Sequence, residues 1–224
     1  LTPQAGLFLS AIAFVGTHFL LSHPLRGPLA RRMGERAFQG VYSLVALLLF
    51  GAMIYYYGAI GRETEHLWDL GEAGWIFATL LMWFGTILFV GSFVKNPALP
   101  GARLERGRKP DGVFAITRHP MMWGFASWAI THLIVVATPK ALVFDGAILL
   151  LALAGSAGQD AKKAKAMGER WHEWAAHTAF IPFARGVANP GMVALVGGTL
   201  LFFAATWAHG AIGAMPAGFW RWIG

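Results

Sequence analysis

The sequence predicts an all-α protein, a polytopic integral membrane bundle of about six transmembrane helices, and three observations carry that prediction. Hydrophobic residues fill 56% of the 224 positions and charged residues only 13%, with a mean hydropathy of +0.54, well above that of a water-soluble chain. Six apolar windows are each close to the roughly 20 residues needed to cross a bilayer. The basic residues gather in alternate loops, as the positive-inside rule requires.

The windows cover residues 5–22, 37–60, 73–94, 119–139, 141–158 and 191–214. A central Asp, Lys or Arg costs about 2.5–3.5 kcal/mol on insertion scales, so near charge-free stretches of this length are strong signals. Only Asp145, near the start of the fifth window, interrupts the pattern. Pro139-Lys140 separates the fourth and fifth windows by a turn, which makes them a helical hairpin. The first window lacks a basic start and a small-residue cleavage pattern, so it reads as a retained span rather than a signal peptide. No repeat, low-complexity tract or domain boundary appears, and residues 1–224 read as one domain.

Loops 24–36, 95–118 and 159–186 hold four, six and five Lys or Arg, so fifteen of the eighteen lie on one side. The rule makes that side cytoplasmic and puts both termini on the opposite side. The opposing loop, 61–72, is acidic, with Glu63, Glu65, Asp69 and Glu72 against Arg62. Most Trp residues fall near span ends, where indole prefers the interface, whereas Trp83 and Trp128 lie deeper and are candidates to line a cavity. Lys162, Lys163 and Lys165 followed by Trp171 and Trp174 suggest a charged continuation of the fifth helix or an interfacial helix ending near Ile181-Pro182.

Composition also excludes. Without cysteine there is no disulfide, thiolate metal site or cysteine nucleophile. The net charge of +7 sits in short loops beside apolar runs, which points to lipid headgroups and not to nucleic acid. No hydroxyl nucleophile with a base, paired intramembrane carboxylates or phosphate-binding glycine loop is visible.

Ionisable residues inside a span are functional candidates because hydrocarbon penalises them. His18 of the first window, His132 of the fourth and His209 of the last qualify. A lone imidazole can simply donate to a backbone carbonyl, and for His209 that reading is preferred. His18 and His132 on different helices point instead to axial ligation of a b-type haem, although they differ in depth by roughly 10 Å at 1.5 Å per residue. Arg118, His119 and Pro120 open the fourth window; Pro120 suits a first helical turn, and Arg118 either snorkels or meets a haem propionate. Arg26 and Arg36 face the same side and serve topology or a cofactor. Glu35 is explained by the dipole at the start of the second span.

Together these stretches resemble the NnrU family of bacterial membrane proteins, associated with denitrification and nitric-oxide metabolism, which also contains the zeta-carotene isomerases. The resemblance rests on Gly16-Thr17-His18, His23-Pro24-Leu25-Arg26, Gly34-Glu35-Arg36, Arg118-His119-Pro120 with Met122, Gly124, Trp128 and His132, and Gly168-Glu169 leading to Phe180-Ile181-Pro182-Phe183. It implies haem b with His18 and His132 as metal ligands, in a bacterial inner membrane with both termini periplasmic; Arg26, Arg36, Arg118 and His119, at the cytoplasmic side, are our further cofactor-binding candidates. It further implies a redox-linked isomerase-like role on a hydrophobic small molecule, or a role in denitrification beside a reductase-system partner.

The Arg118-His119-Pro120 element with Gly168-Glu169-Arg170-Trp171 and Ile181-Pro182 also resembles isoprenylcysteine and phospholipid methyltransferases, implying S-adenosylmethionine as the alternative cofactor. That family places a Tyr after its His-Pro and paired glutamates before its Gly-Glu. Here Met121-Met122 and Gln159-Asp160 stand there. A third reading is a non-catalytic assembly or regulatory factor whose histidines only pack.

Overall fold

The computed structural model describes residues 1–63, 65–97, 104–105 and 107–223. Among these the secondary structure is helical: α1 (Pro3–Ser22), α2 (Arg26–Met33), α3 (Glu35–Ala59), α4 (Gly71–Gly91), α5 (Val113–Ile116), α6 (Pro120–Val135), α7 (Pro139–Met167), α8 (Glu169–His177), α9 (Met192–Ala211) and α10 (Trp220–Ile223). Arg103 and Arg106, counted in the second basic loop, lie outside the described residues.

Local chemistry sets the helix starts. Thr2 and Thr138 are N-caps whose hydroxyls accept from Ala5 N at 3.3 Å and Ala141 N at 3.4 Å. Pro3, Pro120 and Pro139 follow in first turns, where no amide hydrogen is missed. The basic stretch after the fifth window continues α7 to Met167. Gly168, at φ 57°, then breaks the helix and starts α8.

Among the described residues five helices, not the expected six, are long and apolar enough to span a membrane: α1, α3, α4, α7 and α9. The window at 119–139 instead forms α6, whose 16 residues rise about 24 Å against a hydrocarbon thickness of about 30 Å. Pro139 holds Thr138 in extended backbone, ψ 158°, which bars helix from position 138, and α6 ends three residues before it, at Val135. The carbonyls freed there are taken by the acidic loop: Trp68 Nε1 donates to Leu133 O at 3.0 Å and Leu67 N to Ala137 O at 2.6 Å. The helix therefore still runs between the two ends of the bundle, with irregular backbone completing the distance.

The helices pack side by side in the order α3, α1, α7, α6, α4, α9. Small residues set the closest approaches. A Cβ on Gly198 of α9 would stand 2.5 Å from Ile87 Cα of α4, and one on Gly85 of α4 would stand 2.7 Å from Ser127 Cβ of α6. One apolar core joins Leu7, Ala11 and Phe14 to Met53 and Phe144. A second, at the basic end, gathers Leu88, Phe114, Trp171 and Trp174. Large apolar side chains such as Leu44, Leu48, Leu200 and Trp207 are exposed outward, the surface a helix presents to lipid.

The opposite end is tied by acidic residues. Lys140 Nζ donates to Gly61 O and sits 4.5 Å from the centre of the Tyr57 ring, while its amide donates to Glu63. Arg221 pairs with Glu72 at 2.8 Å, and Trp222 Nε1 donates to the same carboxylate at 3.0 Å. Two of the three basic residues outside the basic loops are thus held against the acidic segment.

Candidate functional site

A cavity of about 780 Å³ opens between α1, α3 and α7 on one side and α4, α6 and α9 on the other. Its walls are mainly apolar, with Phe14, Phe50, Met82, Phe89, Phe125 and Trp128 prominent. Trp128 is therefore in the lining, as its depth suggested. Trp83 is not, and its Nε1 instead donates to Thr199 Oγ1 at 2.9 Å.

His18 lines this cavity. Its Nδ1 donates to Phe14 O at 2.6 Å, which leaves Nε2 as the lone-pair nitrogen of the neutral ring. Phe14 at 4.4 Å and Tyr42 at 5.5 Å meet the imidazole edge-on. A ring nitrogen fixed on a backbone carbonyl is the arrangement that orients a metal-binding histidine, and the same bond also satisfies a packed one.

His132 makes the equivalent bond, Nδ1 to Trp128 O at 2.8 Å. It stands one turn beyond Trp128 and is not in the cavity wall. Its ring faces His209 at 6.3 Å between centroids, and His209 Nδ1 donates to Ala205 O at 2.8 Å. Between His18 and His132 runs a chain of rings: Phe14 to Phe50 at 5.7 Å, Phe50 to Phe144 at 5.8 Å, Phe144 to Trp128 at 6.3 Å, and Trp128 to His132 at 4.3 Å. Among the described residues no three His, Asp or Glu side chains gather as a metal-binding group.

Two of the three arginines expected near a cofactor, Arg26 and Arg118, have protein partners. Arg26 pairs with Glu35 across the α2–α3 junction and lies over Phe38. Arg36 is exposed on the first turn of α3. Arg118 forks onto Asp160 of α7, with Nε at 2.9 Å and Nη2 at 2.6 Å from Oδ2, and Nη1 donates to Thr178 O at 3.2 Å. His119 Nε2 meets Asp160 Oδ1 at 2.9 Å, while its Nδ1 is buried without a partner among the described residues. Thr117 Oγ1 and Trp123 Nε1 both donate to Phe180 O, at 2.7 and 2.8 Å. Two motifs some 60 residues apart, Arg118-His119-Pro120 and Phe180-Ile181-Pro182-Phe183, are therefore one hydrogen-bonded unit clamped on α7.

Sequence reasoning passed over the cavity's polar mouth. Ser22, His23, Tyr42, Gln159 and Lys162 line it at the basic end. A signal was present: Leu151, Gly155, Gln159 and Lys162 recur at helical spacing, so one face of α7 turns from apolar to polar along its length.

The model of the NnrU protein family matches residues 6–217, a stretch that includes every residue lining the cavity. The chain belongs to the NnrU family. This NnrU chain is 25% identical over 189 residues to the chloroplastic 15-cis-zeta-carotene isomerase of Arabidopsis thaliana, covering 82% of this chain and 50% of that protein. It is 24% identical over 185 residues to the protein of the same name from Zea mays, covering 80% and 49% respectively. It thus spans about half the length of these curated relatives. No solved structure matches it significantly.

Proposed function

We propose that this NnrU chain is an isomerase-like membrane protein that admits an elongated apolar molecule, such as a conjugated polyene, into the cavity. There His18 would hold a b-type haem, with His132 as the second histidine proposed for that group. The observation that carries the reading is His18, a histidine with its tautomer set by Phe14 O, in the wall of an apolar cavity whose volume falls within the usual range of roughly 300–1,000 Å³ for small-molecule sites. The two histidines fit the group unequally: His18 is in the cavity wall, whereas His132 stands outside it, one turn beyond Trp128. With Nδ1 committed to a carbonyl, the neutral ring of each histidine offers Nε2 as the metal-binding atom. Haem, when bound, would supply an iron whose oxidation state governs how many coordination positions are free.

The chain's own residues have separate tasks. Phe14 and Trp128 orient the two imidazoles through their carbonyls. Phe50, Phe89, Phe125 and Trp128 exclude water and offer flat surfaces to a conjugated chain. The Arg118–His119–Asp160 clamp fixes the start of α6, and with it the register of Trp128 and His132 on that helix. Similarity to proteins named as 15-cis-zeta-carotene isomerases supports the isomerase-like reading.

An absorption spectrum of the protein purified after haem-supplemented expression tests the ligand assignment. A Soret band is expected that is lost or displaced in both His18→Ala and His132→Ala. Absence of the band, or a band unchanged in both variants, overturns it. Incubation of the reduced protein with a 15-cis polyene, followed by chromatographic separation of isomers, tests the activity; no product above a protein-free control removes the isomerase reading.

A further inference from the structure

The cavity is chemically lopsided. Most of its lining is aromatic or aliphatic, and the polar side chains other than His18 and Thr86 collect at the basic end. Thr86 spends its hydroxyl on Trp83 O at 2.7 Å. At the mouth, Ser22 and Tyr42 share one hydrogen bond at 3.4 Å across α1 and α3. His23 leans on α7 so closely that a Cβ on Gly158 would stand 2.7 Å from its Nε2. One turn further along α7 is Lys162, and Gln159 sits between them on the same face. Arg26 and Arg118 are neutralised by Glu35 and Asp160, whereas no carboxylate lies within ion-pair distance of Lys162 among the described residues.

We infer that the cavity selects ligands with a carboxylate at one end, and that Lys162, assisted by Gln159 and His23, anchors that group at the mouth while the apolar body lies along Phe14, Phe50 and Trp128. A uniformly apolar ligand gives no use for an ammonium in the lining. An ion of one sign placed at the edge of a low-dielectric cleft attracts the opposite charge more strongly than it does in water. The inference rests on the cavity being the ligand site of the proposed function. It covers two sources of the same chemistry, the propionates of haem and the head of a free acid.

The test uses the full chain in phosphatidylcholine nanodiscs, which carry no net lipid charge. The probes are cis-parinaric acid, a fluorescent conjugated polyene with a carboxylate, and its methyl ester, which has the same body without the charge. Wild type is expected to bind the acid about tenfold more tightly than the ester, the scale of one charge-assisted hydrogen bond. Lys162→Met should bring the acid down to the ester's affinity, and Lys162→Arg should restore the difference. A parallel haem titration separates the sources. A fall in haem affinity in Lys162→Met with the Soret position unchanged identifies propionates as a ligand of the mouth. An unaltered haem affinity, with acid selectivity lost, assigns the mouth to free acids. Equal affinity for acid and ester in wild type overturns the anchor but leaves the cavity as a site. Binding of none of the three probes overturns the anchor and the proposed function together.

Discussion

Arg118 and Asp160 form a forked ion pair that joins the start of α6 to the middle of α7. Both groups lie mostly out of solvent, and His119 shares the same carboxylate. Removing the carboxylate strands a guanidinium and leaves a buried imidazole with neither nitrogen satisfied. Asp160→Ala should therefore destabilise the protein by about 3 kcal/mol, read as a lower midpoint in a detergent thermal-unfolding scan. Asp160→Asn, which keeps one acceptor, should lose less. An Asp160→Ala midpoint equal to wild type removes the clamp from the account of the fold.

The glycine contacts predict opposite outcomes at two positions. Gly198→Ala drives a methyl group against Ile87 Cα and N, which are backbone atoms of α4, so α9 must move away at a cost of about 1–3 kcal/mol. Gly16 has nothing within 4 Å of the added carbon, so Gly16→Ala should be neutral or stabilising by up to about 1 kcal/mol. Thermal midpoints of the two variants measured side by side check both statements.

His132 has a neighbour in His209, which raises the question of which histidine completes a haem site. If His18 is the partner, His209→Ala should keep the Soret band while His18→Ala displaces it. A band lost in His209→Ala and intact in His18→Ala would instead place the group between α6 and α9.

Gly158→Ala probes the mouth without touching the core. The added carbon meets only the far end of the His23 side chain, which can swing aside. The thermal midpoint should stay within about 0.5 kcal/mol of wild type, while affinity for the parinaric acid probe changes. A variant with both unchanged shows that the position of His23 does not shape the entrance.

The membrane class, the position of each apolar segment, the basic and acidic ends and the family motifs were legible in the sequence. Transfer free energy and charge are properties of short stretches, and they add along the chain without knowledge of neighbours. His18, His132 and the Arg118-His119 element were found the same way, as polar groups where hydrocarbon or its edge penalises them. Only the tertiary structure decided that α6 stops at Val135, since that depends on Trp68 and Leu67 arriving from another loop to satisfy its carbonyls. It alone decided that Arg118 and His119 belong to Asp160, that His18 lines the cavity while His132 stands behind Trp128, and that Lys162 is at the mouth. The reason is rotational: a sequence tells how deep a residue sits in a helix, but which neighbour it faces is settled by how glycines such as Gly85 and Gly198 let the helices close.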